Sequence, residues 1–330
     1  MTSQNCEVAP GVPSVRLVTP EELRTAATRI AGEIVATPTV ASPGLTSLLG
    51  VPVTLKLEQL QRSGSFKSRG ALAKLLTLDA AERAAGVVTV SGGNHGTALA
   101  DAAGSLGIAA TVVMAKAAPQ RSIDACRASG AEVRLTPDMA DAFALLDELV
   151  AEGRTLVHPF DDPVVVAGQG TVGLEFAAAA PDLTDVLVSI GGGGLIAGVG
   201  VAFREVNPGV RIWGVETIGA DAMTRALAAG GPVDFRPTSI VTTLSAPHVS
   251  QLTYEHVRAL VEDVLVVSDD AAVAGAITLA ERAGVWAEPA AGCLIPAART
   301  VLERVGPDAR LGLVICGGNT TVEGLAQAAR

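Results

Sequence analysis

The residues best suited to chemistry in this chain form the run Ser63-Gly64-Ser65-Phe66-Lys67-Ser68-Arg69-Gly70. Lys67 lies among small residues, after a strand-like apolar run at 51–57 and before a helix-like run at 71–78. The positive end of a helix dipole disfavours the ammonium form of a lysine, and burial acts in the same direction. A neutral amine is the form that attacks a carbonyl to give a Schiff base. The alternative interpretation of this motif alone is an ordinary loop lysine.

Four consecutive glycines follow an apolar strand and open a helix-like segment. Backbone N–H groups in such a turn can close around an anion, with the helix dipole assisting. The pattern predicts a phosphate-binding loop formed by Gly191, Gly192, Gly193, Gly194 and Leu195. The loop also satisfies G-x-G-x-x-A, with Ala197 in the last place, and Glu216 ends the next predicted strand. A nicotinamide dinucleotide site therefore stays open as an alternative.

Two further turns carry polar groups at strand ends. In Ser91-Gly92-Gly93-Asn94-His95-Gly96, backbone amides are suited to bind a carboxylate and Asn94 to bind a ring oxygen; simple helix capping by Asn94 is the alternative. His95 has the chemistry of a general base, although a capping role explains it equally simply. Cys316 ends the last predicted strand, where open α/β sheets bind ligands, and an inert buried thiol is the alternative.

Composition and charge exclude several classes of protein. The formal net charge of -10 argues against a nucleic-acid or anionic-membrane partner. No apolar stretch reaches the length of about 18 residues that a membrane span needs, and residues 1–15 lack a signal-peptide core. Reduced thiols in a cytoplasmic protein, with no zinc motif, are indicated by the scattered cysteines Cys6, Cys126, Cys293 and Cys316.

Apolar strands and helix-like segments alternate along the chain, which predicts an α/β fold with parallel sheets covered on both faces. Thr19-Pro20-Glu21-Glu22 predicts a capped helix that runs to about Ile34. The predicted strands are 87–90, 109–114, 132–135, 155–157, 186–190, 210–215, 264–267 and 311–315. The other predicted helices are 94–106, 118–128, 139–151, 195–206 and 271–283.

Taken together and in this order, the motifs resemble those of the fold-type II pyridoxal-phosphate enzymes, specifically the serine/threonine dehydratase and serine racemase family. The resemblance runs from about Thr19 to the C-terminus and includes the family-like runs at 158–163, 167–171, 288–292 and 316–319. It implies a tryptophan synthase β-like fold of two interwoven open α/β domains with mostly parallel sheets. Expected parts are a flexible N-terminal arm at 1–15, a large cofactor domain at 16–85 and 160–330, and a small mobile domain at 86–159.

The resemblance also implies roles for individual residues. Lys67 would form the Schiff base with pyridoxal 5'-phosphate, next to Phe66, and would move the Cα proton. Asn94 would bond the 3-hydroxyl oxygen of the cofactor, residues 191–195 would hold its phosphate, and Cys316 would lie at its pyridine nitrogen. A substrate carboxylate would be bound by Ser91, Gly92, Asn94 and His95.

This chain departs from the family pattern at four places. Gly92 stands where the racemases carry a serine that acts as a second acid or base, which favours elimination over racemisation. Thr97 replaces a usual glutamine, and residues 241–244 replace a region where an Asp-Gly pair is common. A cation site would use Glu216 and Ala220, but its third position is Ala222 rather than an acid, and a missing oxygen ligand weakens such a site.

The resemblance implies an ammonia-lyase that converts a β-hydroxy amino acid such as L-threonine or L-serine to a 2-oxo acid and ammonia. It also implies a homodimer, and the chain's end soon after the last strand predicts no appended regulatory domain. The alternatives are another reaction of the same cofactor, either β-replacement or racemisation, a nicotinamide oxidoreductase, and a non-catalytic binding protein.

Overall fold

The computed structural model describes residues 15–329. Cys6 and residues 1–14 of the predicted N-terminal arm lie outside the described residues, as does residue 330. The described strands form two sheets, one of six strands and one of four, which confirms the predicted α/β fold with mostly parallel sheets. No helix between residues 15 and 329 has the length and apolar character needed to cross a membrane.

The strands of the two sheets come from different parts of the chain. The larger sheet has the spatial order β1 (Thr39–Ala41), β2 (Val53–Leu57), β10 (Leu311–Ile315), β7 (Asp185–Ser189), β8 (Arg211–Thr217) and β9 (Asp263–Val267). Only β1 is antiparallel to its neighbour. The smaller sheet is parallel throughout, with the order β5 (Glu132–Thr136), β4 (Ala110–Ala115), β3 (Val87–Val90) and β6 (Thr155–Leu156).

Helices connect the strands and cover the sheets. In the first half they are α1 (Pro20–Ile30), α2 (Pro43–Leu49), α3 (Lys67–Leu75), α4 (Ala80–Ala85), α5 (Asn94–Ser105), α6 (Gln120–Ala128) and α7 (Met139–Ala151). In the second half they are α8 (Pro163–Ala179), α9 (Gly194–Val206), α10 (Ala222–Ala229), α11 (Gln251–Leu260), α12 (Asp269–Ala283), α13 (Pro289–Gly292), α14 (Leu294–Val305) and α15 (Val322–Ala328).

Helix α8 lies at the centre of the helical layer and fixes the position of α3, the helix that begins at Lys67. It packs against α1, α3 and α9. Glycines permit the close approach: a Cβ at Gly168 would lie 2.7 Å from Cα of Gly70, and a Cβ at Gly198 would lie 2.4 Å from the backbone N of Gly170. Because these helices touch through backbone, their relative positions tolerate little adjustment.

Some sequence predictions differ from the structure. The capping box of Thr19 and Glu22 is present, but α1 ends at Ile30 rather than Ile34, because the chain turns at Gly32 with φ +81°. Strand β1 was not predicted, since its three residues are mostly exposed and carry no apolar alternation. Helix α8 was not predicted as a helix either, because it is apolar nearly all round and lacks a 3.6-residue period.

Candidate active site

Lys67 is the first residue of α3. It is partly buried, and its Nζ donates a hydrogen bond to the carbonyl oxygen of Pro159 at 2.8 Å. Nζ lies 5.2 Å from the centre of the Phe66 ring. Desolvation lowers the pKa of Lys67 to about 8, so roughly a tenth of its amine is neutral at pH 7, far more than for an ordinary lysine. The amine is thus prepared for attack on a carbonyl.

Backbone hydrogen bonds join the loop that precedes Lys67 to the end of β10. The N–H of Phe66 donates to the carbonyl oxygen of Cys316 at 3.0 Å, and the N–H of Gly318 donates to that of Gly64 at 3.0 Å. Ser65 and Gly317 pair as an isolated antiparallel bridge between these bonds. The pairing brings Lys67 and Cys316, which are far apart in the sequence, into one site.

The thiol of Cys316 is buried at the carboxyl end of β10. It accepts a hydrogen bond from Oγ of Ser189 at 3.4 Å. Burial raises the pKa of Cys316 to about 12, and nearby Glu288 acts in the same direction. The sulfur is therefore a neutral thiol at physiological pH and offers no negative charge to a ligand.

The glycine loop closes over the N-terminus of α9 in a geometry that other residues cannot adopt. Gly193 has φ +90°, and a Cβ at Gly192 would lie 2.0 Å from the ring of Phe160. Helix α9 begins at Gly194, and Leu195 behind it is buried in the core. Free N–H groups at a helix start form an anion site when no side chains obstruct them. The loop thus fits a phosphate group.

Asn94 begins α5 and is held by the other end of the chain. Its Nδ2 donates to Oε1 of Glu288 at 2.8 Å, and its Oδ1 accepts from Nδ2 of Asn319 at 2.8 Å. Burial raises the pKa of Glu288 to about 7, opposed by the hydrogen bond from Asn94. Glu288 and Asn319 were noted in the sequence only as parts of family-like runs, and their contact with Asn94 is a finding of the structure.

The other residues expected to bind the substrate carboxylate are engaged in local hydrogen bonds and packing contacts. Oγ of Ser91 accepts a hydrogen bond from the N–H of Gly93 at 3.3 Å, and a Cβ at Gly92 would lie 2.9 Å from Cβ of Ala118. His95 is buried, with Nε2 2.9 Å from the carbonyl oxygen of Val157. Burial lowers the pKa of His95 to about 3, so its ring is neutral and Nε2 is the donor. This bond links α5 to the end of β6.

Comparisons with known proteins give one consistent result. Residues 30–317 match the family model described as "Pyridoxal-phosphate dependent enzyme". The chain belongs to this family. Phenylserine dehydratase of Ralstonia pickettii is 43% identical over 82% of this chain and 84% of its own length. The catabolic L-threonine dehydratase of Escherichia coli (strain K12) is 38% identical over 91% of this chain and 92% of its own. Maize serine racemase has a similar structure, with a TM-score of 0.89, 32% identity, and coverage of 95% and 97%.

The protein is therefore a pyridoxal-phosphate dependent enzyme of the serine/threonine dehydratase type, which confirms the predicted family, fold and cofactor. The described residues fit that cofactor. Lys67 supplies a desolvated amine for the aldehyde, the glycine loop at the start of α9 carries no side chains that would obstruct a phosphate, and a neutral thiol lies nearby. These are the features that a small aromatic aldehyde with a phosphate arm requires.

A dinucleotide site would need the carboxylate of Glu216 free to bind a ribose hydroxyl, but this carboxylate is already engaged. The buried carboxylate accepts hydrogen bonds from the N–H of Met223 at 2.8 Å and from N–H and Oγ1 of Thr224 at 2.9 and 2.7 Å. It therefore caps the start of α10 and is not free to bind a ribose. The family match likewise removes the nicotinamide oxidoreductase from consideration.

The same contacts bear on the predicted cation site. The N–H of Ala220 donates to the carbonyl oxygen of Thr217 at 2.8 Å, within the tight turn after β8. Within residues 15–329 no group of three or more His, Cys, Asp or Glu side chains is arranged to hold a metal ion. A cation at Glu216 and Ala220 stays a prediction, and it would have to compete with the cap on α10.

Proposed function

We propose that this enzyme removes water from a β-hydroxy amino acid and releases a 2-oxo acid and ammonia. The observation that carries the proposal is the amine of Lys67, which desolvation leaves partly neutral beside a glycine-lined helix start and a neutral thiol. The dehydratase relatives support elimination. The alternative, racemisation, has weaker support from the similar racemase structures. Gly92, in place of a serine, offers no second acid or base for racemisation.

Pyridoxal phosphate, when bound, supplies an electron sink for negative charge that develops at the substrate Cα. In the proposed reaction Lys67 removes the Cα proton and passes a proton to the β-hydroxyl, which leaves as water with the electron pair of its C–O bond. Hydrolysis of the released product then gives the 2-oxo acid and ammonia. The partly neutral amine of Lys67 suits this role, because a base must be unprotonated to accept the proton and its pKa should lie near the working pH.

The remaining residues have supporting roles in this proposal. Gly191 and its three successors would hold the cofactor phosphate with backbone N–H groups, and Asn94 would bind the cofactor ring through its amide. Cys316 would serve the pyridine nitrogen as a neutral thiol, which would not keep that nitrogen protonated. A weaker electron sink favours prompt loss of a leaving group over slower reactions such as transamination. Ser91 and the amides of residues 92–95 bind the carboxylate.

The substrates to compare first are L-threonine, L-serine and phenylserine. The ring of Phe160 lies 4.7 Å from that of His158 and 6.3 Å from that of His248, centre to centre. The same Phe160 ring contacts the glycine loop. Phenylserine is included because the relative from Ralstonia pickettii is named for it.

The test is a visible spectrum of the purified enzyme with each amino acid, together with an assay for 2-oxo acid. We expect a yellow absorption band that borohydride removes, and 2-oxo acid from at least one of the three substrates. A band without 2-oxo acid from any of them would favour β-replacement or racemisation. Absence of the band after reconstitution with excess cofactor would contradict the proposal.

We also propose that residues 86–159 move as a small domain against residues 16–85 and 160–330. All four strands of the smaller sheet come from residues 87–156, and Gly86, with φ +83°, stands at one junction.

We further propose that the enzyme is a homodimer and that it is located in the cytoplasm. Burial of the described thiols, none of them in a disulfide, suits a reducing compartment: Cys126, Cys293 and Cys316. Light scattering on the purified enzyme tests the dimer.

A further inference from the structure

Arg121 makes a contact between the two parts of the chain that the proposed function does not use. It lies in the first turn of α6, beside the smaller sheet. Its Nη1 donates to the carbonyl oxygen of Thr320 at 2.6 Å, and its Nη2 donates to Oδ1 of Asn319 at 2.9 Å. Both acceptors follow β10, the central strand of the larger sheet. Arg121 therefore bridges the segments that carry Asn94 and Lys67.

The bond to Arg121 sets the direction of the Asn319 amide. A guanidinium can only donate, so the oxygen of this amide faces Arg121 and its NH₂ faces the other way. That NH₂ donates to the carbonyl oxygen of Ser63 at 2.8 Å and to Oδ1 of Asn94 at 2.8 Å. The carbonyl of Ser63 can only accept, so it agrees with this direction.

The same direction continues into the site. With its oxygen occupied by Asn319, Asn94 turns its NH₂ toward Oε1 of Glu288, at 2.8 Å. The hydrogen bonds thus run from a cation at Arg121, through two amides, to a carboxylate at Glu288. Each amide would have to turn over if either end lost its character as donor or acceptor.

We propose that Arg121 is a positioning residue that, through Asn319, fixes the orientation of the Asn94 amide in the active site. The inference rests on the proposed function, in which Asn94 contacts the cofactor ring. Without Arg121, reversal of the Asn319 amide is opposed by the carbonyl of Ser63 and, through Asn94, by the carboxylate of Glu288, and protonation of Glu288 removes the second of these. A reversed amide would present an oxygen where the site needs a donor.

Glu288 makes this orientation dependent on pH. Burial raises the pKa of Glu288, while the Asn94 hydrogen bond and the charge of Arg121 lower it. Cys316 and Lys67 are the other titratable groups in this site: Glu288 raises the pKa of Cys316, and Lys67 lowers it. A protonated Glu288 can donate to Asn94 and reverse its amide. Loss of Arg121 raises the pKa of Glu288 further, so the reversal should begin at higher pH.

The experiment compares Arg121→Met and Arg121→Lys with a matched control, Arg127→Met, in the holoenzyme. Arg127 is an exposed arginine in the last turn of the same helix. The visible absorption of the bound cofactor is titrated with pH in the absence of substrate, and kcat and KM are measured over the same range. Thermal unfolding midpoints record whether each variant folds.

For Arg121→Met we expect kcat to fall about tenfold, the size of a lost hydrogen bond to a charged donor, with a much smaller change in KM. The acid limb of the kcat profile and the spectral transition should both move to higher pH. Arg121→Lys, which keeps a cationic donor, should restore most of both shifts. Arg127→Met should match the unchanged enzyme in every measurement.

The inference is overturned if Arg121→Met gives the same spectral titration and pH profile as Arg127→Met. A fall in kcat that leaves the pH profile unmoved also overturns it, because a merely structural role would act in that way. The unchanged enzyme tests the proposed function separately: if it shows no cofactor band, the proposed function fails and the inference fails with it.

Discussion

Lys67 and Arg69 are two cations in the first turn of α3, and their surroundings are opposite. Arg69 is fully buried and is paired with two carboxylates: it bonds both oxygens of Glu58 at 2.8 Å and both oxygens of Glu175 at 2.7 and 2.8 Å. Among residues 15–329, the hydrogen-bond acceptor of Lys67 is the neutral carbonyl oxygen of Pro159. Burial alone would lower both pKa values, but the carboxylates raise that of Arg69. A paired cation anchors the helix, and an unpaired one is left reactive.

The ion pairs of Arg69 belong to a larger anchoring cluster of four charged side chains, formed by Arg69, Lys56, Glu58 and Glu175. Lys56 on β2 donates to the carbonyl oxygen of Thr37 at 2.8 Å and also pairs with Glu175 on α8. Arg69 and Lys56 balance Glu58 and Glu175 in charge. This cluster ties β2, α3 and α8 together directly beneath Lys67. The precision of the reactive amine therefore depends on a neighbouring site that does no chemistry.

The largest effect is expected when the unpaired cation is removed. Lys67→Ala should lower turnover about a thousandfold or more, because both the attachment point of the cofactor and the base are lost. The visible band that borohydride removes should be missing. Lys74→Ala, in the last turn of the same helix, is the control: Lys74 pairs with Asp162 at 2.7 Å, and its loss should leave the band and the turnover in place.

The opposite outcome is expected for the paired cation. Arg69→Met should lower the free energy of unfolding by about 3–5 kcal/mol, because Glu58 stays buried without its charge partner. Urea unfolding followed by circular dichroism measures this. Any loss of activity should follow the loss of folded protein. A variant of normal stability with no activity would show that Arg69 has a direct chemical role, and the contrast with Lys67 would not hold.

The sequence predicted one half of this contrast, the reactive Lys67, but not the other, the paired Arg69. The run 63–70 marked Lys67, and the strands β3 and β10 and the helix α7 have the predicted bounds. Arg69 stood in the same run without a role, because its partners Glu58 and Glu175 come from other elements. Local patterns predict which residues begin a helix, whereas ion pairs between elements depend on packing.

The same limit applies to the candidate site. Three glycine-rich turns at strand ends pointed to Asn94, the phosphate loop and Cys316, since parallel strands bring their carboxyl ends to one edge. Glu288 as the partner of Asn94, and Arg121 beyond it, had no local signal. Arg121 lies in an ordinary amphipathic helix, and only the tertiary fold places it beside Asn319.

The unpaired state of Lys67 should also cost stability in a pH-dependent way. Its pKa is about 8 in the folded enzyme, against 10.5 for an ordinary lysine, so between these values the unfolded chain binds more protons and stability rises with pH. Lys67→Met, free of cofactor, should be more stable than the parent by up to about 3 kcal/mol at pH values below the folded pKa. The difference should shrink to nothing as pH approaches the unfolded value. Denaturant unfolding of both proteins at several pH values checks this.

An unchanged difference across that range would show that the gain comes from packing of the methionine alone. The higher stability of Lys67→Met would then say nothing about the pKa of the lysine amine. A parent enzyme that is more stable than the variant below pH 8 would contradict the depressed pKa itself.

The smallest effect is expected at the outer edge of the anchoring cluster. The side chain of Glu175 is 30% exposed, whereas that of Glu58 is fully buried. Glu175→Gln should therefore cost only about 1–2 kcal/mol, because water partly replaces the lost charge around Arg69 and Lys56. Urea unfolding beside Arg69→Met gives the ranking. An equal loss of unfolding free energy in Glu175→Gln and Arg69→Met would show that Glu175, rather than Glu58, is the main partner of Arg69.

The position of β10 has a consequence for how the enzyme is made. This strand is near the C-terminus, yet it inserts between β2 and β7, and the residues after it pair with the loop at 64–66. A ribosome-bound chain therefore has β2 and β7 long before the strand that joins them. Such distant pairings fold slowly and leave strand edges open meanwhile. The reactive lysine gains its final surroundings only after β10 has been synthesised, so the amine and the site around it become complete at different times during translation.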